Sequence, residues 1–82
     1  MKQKDFNEKY CNYIKDGFRG LDLINETAID YLDKKFQEYI KIPEFKYLQI
    51  KSKWNWYCFY AEGISMEERE EVELNLKKIC SF

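Results

Sequence analysis

The chain has 82 residues, and Lys+Arg 14 against Asp+Glu 15 leave a formal charge of −1. This length supports one small core, with residues 1–82 as a single domain, and the near-neutral balance excludes a polybasic protein. A composition of 45% hydrophobic and 35% charged residues is too apolar for disorder, and the absence of histidine excludes imidazole acid–base chemistry, His metal ligation and a neutral-pH imidazole switch.

From Asp5 to Asp16, Phe6, Tyr10, Tyr13 and Ile14 recur at spacings that place them on one helix face. Asp5 and Glu8 resemble a capping box, and Gly17 and Gly20 are natural stops, so the pattern predicts a short first helix. A second helix is predicted over Asp22 to Lys41, where Leu21, Ile24, Ala28, Leu32, Phe36 and Ile40 form one stripe widened by Ile29, Tyr31 and Tyr39. It must end near Ile42, because Pro43 drives the preceding residue to extended backbone and cannot continue the ladder.

After Glu44, FKYLQIKSK and WNWYCFYAE are rich in aromatic and branched residues, and each is about one strand long. Alternation in the first predicts Leu48 and Ile50 on one face, with Tyr47, Gln49 and Lys51 on the other. Lys53-Trp54-Asn55 suits a three-residue hairpin loop with Asn55 in the left-handed conformation. Gly63 then breaks the second strand, and Ser65-Met66-Glu67-Glu68 is an S-x-x-E box opening a final helix to about Ile79, with Val72, Leu76 and Ile79 as its buried stripe. Glutamates fill its first half and Lys77 and Lys78 its last turn, as the helix dipole favours. The fold class is therefore α+β: one small domain, α-α-β-β-α, with an antiparallel two-stranded hairpin packed by helices.

Cys11, Cys58 and Cys80 are odd in number, far apart and never spaced C-x-x-C, which reads as free, mostly buried thiols with no metal site and no cofactor. The longest uncharged run, Trp54 to Ala61, is far shorter than the ~20 residues of a membrane helix. MKQKDFNEKY lacks the apolar region of a signal peptide. The expectation is a cytoplasmic protein of a host cell cytosol with no membrane contact.

Charge and aromatics are unevenly placed. Between residues 45 and 61 stand Lys46, Lys51 and Lys53 with no acid, whereas Glu67, Glu68, Glu70, Glu71 and Glu73 crowd the final helix. Two Trp, seven Tyr and six Phe exceed what so small a core hides, and Trp54 and Trp56 at the hairpin tip are the rings expected to face outwards.

The stretch Phe45 to Tyr60 resembles a family of small uncharacterised phage and prophage proteins whose core reads roughly Q-I-K-E-K-F-G-x-L-R-F-Y. Gln49, Ile50, Lys51, Lys53, Phe59 and Tyr60 match in register, with Trp54 in place of Phe. Asn55 stands for the family's Gly, Ser52 for its Glu and Cys58 for its Arg, and the C-x-x-C-G ending common there has no counterpart in Cys80-Ser81-Phe82. The resemblance implies a phage-like origin and a hairpin between two helices.

No nucleophile motif, Walker loop or dinucleotide fingerprint is present, and Asp30 and Asp33, one turn apart, read as a solvated helix face, so no enzymatic activity is expected. The expected function is a non-catalytic protein-binding module that inhibits a host protein by occlusion, the expected target being a nucleic-acid-handling defence effector such as a CRISPR nuclease (an anti-CRISPR role). Its partner-binding residues are Lys51, Lys53, Trp54, Trp56, Tyr57, Glu67, Glu68, Glu70 and Glu71: an anchor for a pocket, with acidic groups placed where a nuclease expects phosphate. The alternative is a weak single-stranded nucleic-acid binder using the basic aromatic hairpin. A homodimer formed through the same aromatics competes with a foreign target.

Overall fold

Phe36 sits on the apolar stripe of the second predicted helix, and in the folded chain it is fully buried beneath a cage of rings. In a computed structural model describing residues 1–14, 19–21, 24–54 and 56–80, Phe36 lies 5.0 Å from Phe6, 5.1 Å from Phe45, 5.2 Å from Tyr10 and 5.8 Å from Tyr47 between ring centroids. Tilted and edge-on pairs of this kind add about 0.5–1.5 kcal/mol each beyond area burial. One aromatic centre thus ties both first helices to the hairpin.

The order is helix, helix, hairpin, helix: α1 (Gln3–Lys9), a 3-10 turn (Cys11–Tyr13), α2 (Glu26–Tyr39), β1 (Lys46–Lys53), β2 (Trp56–Glu62) and α3 (Met66–Cys80). The two strands form one antiparallel sheet. The α+β class and the α-α-β-β-α order read from the sequence are those of the fold.

Element boundaries moved for physical reasons. The first helix starts earlier and stops sooner than residues 5–16: Lys2 is its N-cap without a side-chain bond, so Asp5 lies inside the first turn and no capping box forms. The chain then tightens through the 3-10 turn, and Ile14 is extended because it forms a parallel bridge with Tyr47. Gly17, the predicted stop, lies outside the described residues.

Leu21, Ile24 and Asn25 do not belong to the second helix, and Asp22, its predicted start, lies outside the described residues. Asn25 caps it, its side-chain oxygen accepting from the Ala28 N–H at 2.8 Å, so α2 begins four residues later than Asp22. Leu21 and Ile24 keep helical spacing and are buried, yet they lie in the approach to the cap. At the other end the helix stops at Tyr39, and turn bonds from Ile42 N–H to Tyr39 and from Phe45 N–H to Ile42 carry the chain past Pro43.

The register pairs Tyr47 with Ala61, Gln49 with Tyr60, Ile50 with Phe59, Lys51 with Cys58 and Lys53 with Trp56, with an irregularity between Tyr47 and Gln49. That bulge overturns the simple alternation expected for β1. The extra residue brings Tyr47 and Ile50 both into the core, while Leu48 is only half-buried.

Both hairpin edges are tied down. At β1, the Ile50 N–H donates to the Arg19 carbonyl at 3.1 Å and the Tyr47 hydroxyl bonds the same carbonyl. Gly20 allows this approach: its φ is +85°, and a Cβ there would lie 1.6 Å from the Ile50 oxygen. At β2, the Phe59 N–H donates to Glu73 Oε2 at 2.7 Å.

The final helix begins as predicted, with Ser65 Oγ accepting from the Glu68 N–H at 3.1 Å, and it buries Val72 and Leu76, with Ile79 packed at the margin. The expectation of mostly buried thiols needs correction: Cys11 is exposed because it opens the 3-10 turn, and Cys58 and Cys80 are half-buried.

Candidate functional site: the hairpin tip

Directly paired residues share a face of an antiparallel sheet. Ile50 and Phe59 face the core, so Gln49 with Tyr60, Lys51 with Cys58, and Lys53 with Trp56 line the opposite, outer face. Ser52 and Tyr57 fall on the core side, where Tyr57 packs against the margin of the core. Burial and the neighbouring Cys80 push the Tyr57 hydroxyl above its ordinary range. Of the hairpin residues expected to bind a partner, Lys51, Lys53, Trp54 and Trp56 are exposed, and Tyr57 buttresses them from within.

Pairing of Lys53 with Trp56 leaves two positions for the turn, where the sequence suggested a three-residue loop. Trp54 adopts the left-handed conformation, with φ of 58°; Asn55, for which that conformation is expected, lies outside the described residues. A two-residue hairpin turn whose twist matches its strands requires positive φ at its first position, and here that position holds a tryptophan. For a bulky residue this conformation costs about 1–2 kcal/mol. Trp54 is also 92% exposed, so no burial within the chain offsets that cost.

Trp56 is 38% exposed, less than its neighbour, because Lys77 Nζ of α3 lies 4.6 Å from its ring centroid. A cation over an indole contributes about 0.5–1 kcal/mol at such sites. Tyr60, further along the same face, is 43% exposed. Lys51, Lys53 and Lys77 thus surround two indoles at one end of the molecule.

The glutamates are placed elsewhere. Helix α3 runs back along β2, with Glu73 at Phe59 and Lys77 at Trp56. Its first turn, with Glu67 and Glu68, therefore lies about 15 Å of helix away from the tip. Glu68 is turned towards α2, where it accepts bonds from the Tyr39 hydroxyl and from Lys35 Nζ at 3.2 Å. The Tyr39 bond, aided by Lys35 against the opposing effect of burial, holds the Glu68 carboxyl below its ordinary value. Tyr31 and Asn75 continue this seam with a 2.9 Å bond. Glu67, Glu70 and Glu71 remain exposed. The structure groups the lysines and indoles into one surface and leaves the acidic residues outside it.

Asp30 and Asp33 do not face each other as a catalytic pair. Asp33 accepts from Lys9 at 2.8 Å, from Gln37 at 3.0 Å and from the Tyr10 hydroxyl. Burial would raise its carboxyl, but those donors outweigh burial and hold it below the ordinary value. Asp30 is exposed. Among the described residues no group of three or more Cys, Asp or Glu is placed to hold a metal ion, and no helix is long and apolar enough to cross a membrane.

The charge on α3 was legible in the sequence. Its direction along β2 was not, and neither was the left-handed tryptophan, whose only sequence signal is its position just before the asparagine. No protein-family model matches the chain, and neither the curated proteins nor the solved structures give a match.

Proposed function

We propose that this chain is a non-catalytic protein-binding module of phage or mobile-element origin that inhibits a host protein by occlusion, with the hairpin tip as its binding element. The supporting observation is Trp54: a large ring held in a costly backbone conformation and left almost wholly in water. Strain of this kind is retained where a site uses it, and indoles are favoured anchors in partner pockets. The phage-like origin rests on the resemblance carried by Gln49 to Tyr60. The target class proposed is a nucleic-acid-handling defence effector such as a CRISPR nuclease in the host cytoplasm.

The separation of Glu67, Glu70 and Glu71 from the tip supports the tip as the contact and the acidic helix as a solubilising face. The test is capture from nuclease-treated host lysate with the wild-type chain and with Trp54→Ala. A protein retained by the first and lost by the second supports the reading. Equal retention by both sinks it.

A second reading, single-stranded nucleic-acid binding, is favoured by Trp56 and Tyr60 sharing a face with Lys51 and Lys53. The two rings are about 13 Å apart along the strand, close to two extended nucleotide steps. The Tyr60 end of this face runs into Glu62, and Glu73 of α3 accepts from the neighbouring Phe59 N–H. A strand longer than a few nucleotides meets carboxylates there, and salt-sensitive, short-footprint binding is what this reading predicts.

A further inference from the structure

We propose that a second copy of this chain covers the hairpin tip, with Trp54 of one copy seated in a cleft at the far end of the next. This goes beyond the function proposed above, which concerns a foreign partner.

The cleft lies between the end of α2 and the start of α3. Glu38, Tyr39 and Ile42 form one wall, Ile64, Ser65 and Glu68 the other, and its volume is about 350 Å³. That is at the lower end of the range for small-molecule pockets and is room for one indole. Tyr39, Ile42 and Ile64 give it apolar walls. Gly63, which reaches the cleft, is at the end of β2 opposite the tip, about 20 Å of strand away. In a body 35 Å long, knob and hole thus occupy opposite ends.

Charge matches shape. The tip presents exposed Lys51 and Lys53 with Trp54, and no carboxylate lies between residues 45 and 61. At the cleft, Lys35 is already committed to Glu68, which leaves exposed Glu38 as the rim carboxylate facing an incoming tip. Exposed Glu62 and Glu67 are chain neighbours of the lining residues Gly63 and Glu68, and the main chain of exposed Glu44 packs against Gly63. Nucleic acid fits less well as the occupant, because the same body that offers three cations at the tip carries the acidic seam along α3.

Contact between two different patches is heterologous, so each copy keeps one free knob and one free hole and association is open-ended. A single small contact makes it weak and concentration-dependent. The association masks the strained tryptophan until a tighter partner competes for it.

The experiment is sedimentation equilibrium over a concentration series up to millimolar at low salt. Wild-type chain is expected to rise progressively above its 10.1 kDa mass. Trp54→Ala, which keeps the hole, and Glu38→Arg, which keeps the knob, are each expected to weaken association at least about tenfold. Both residues are exposed, so both variants keep the fold. Mixed together, the two variants are expected to form a 1:1 complex that grows no further, since only one knob and one hole remain. A wild-type chain that stays monomeric throughout overturns the proposal, as does Trp54→Ala that associates like wild type or a mixture that forms no 1:1 complex. Monomeric chain whose indole fluorescence is quenched by oligo-dT would make nucleic acid the occupant instead. None of these negative results touches tip-dependent capture of a host protein, so the two proposals fail separately.

Discussion

The main-chain N–H of Phe59 donates to the side chain of Glu73 at 2.7 Å, so a carboxylate on α3 closes the outer edge of β2. Unpaired edge groups invite strand addition by other chains, and this bond, with the Ile50 N–H to Arg19 carbonyl bond on the opposite edge, satisfies a donor on each side of a sheet of only two strands. It also sets the direction of α3, and with it the position of Lys77 over Trp56.

Removing the Glu73 side chain strands a buried donor. Glu73→Ala is expected to cost about 1–3 kcal/mol and Glu73→Gln, which keeps an acceptor oxygen, less than about 1 kcal/mol. Urea unfolding of both variants checks the ranking, and faster hydrogen exchange at the Phe59 amide should accompany the loss in Glu73→Ala. Equal stability of the two variants would mean that the bond does not hold the edge.

Gly20→Ala attacks the other edge. A Cβ there would lie 1.6 Å from the Ile50 carbonyl oxygen, and φ is +85°, so the main chain must retreat from β1. A loss of about 2 kcal/mol or more is expected by thermal or urea unfolding. Wild-type stability in this variant would show that the approach of residues 19–21 to the hairpin is dispensable.

Stability should fall at both ends of the pH range. Folding holds the Glu68 and Asp33 carboxyls below their ordinary values, so their contribution is fully present above the unfolded-state range near pH 4–4.5 and is lost as pH falls below it. Burial raises the Tyr39, Tyr10 and Tyr31 hydroxyls, with Glu68 and Asp33 adding to the first two. The contribution of these three is complete below the ordinary tyrosine value near pH 10 and is lost above it. Tyr39→Phe removes the bond to Glu68, and a flatter acid limb is expected in its pH–stability profile. An unchanged acid limb would mean that the Tyr39 bond does not set the Glu68 titration.

Strain at Trp54 predicts opposed effects on stability and binding. Trp54→Gly relieves positive φ without losing buried contacts, so it is expected to leave stability unchanged or raise it by up to about 1 kcal/mol while abolishing association through the tip. A destabilised glycine variant would show that the indole supports the hairpin itself.

Local signals carried much of the fold. Ser65 with Glu68, Pro43 after the second helix, and the aromatic strands on either side of Lys53 are decided within a few residues, and the structure has all three. Features set by distant partners were not legible. Leu21 and Ile24 have helical spacing, yet they precede the Asn25 cap. Tyr47 leaves its expected face because a bulge brings it beneath Phe36. Of the candidate site, exposure of Trp54 and its lysines could be read from the chain. The fate of Glu68 depended on Tyr39 and Lys35, 29 and 33 residues upstream, and could not.

The central claim, that the basic indole tip is the binding element and the acidic helix is not, is tested most directly by comparing two variants against the captured partner in calorimetric titration. Trp54→Ala is expected to lose at least about tenfold in affinity, while the combined Glu67→Gln, Glu70→Gln and Glu71→Gln variant binds like wild type. The reverse pattern, with the tip variant unaffected and the acidic variant weakened, would contradict the account.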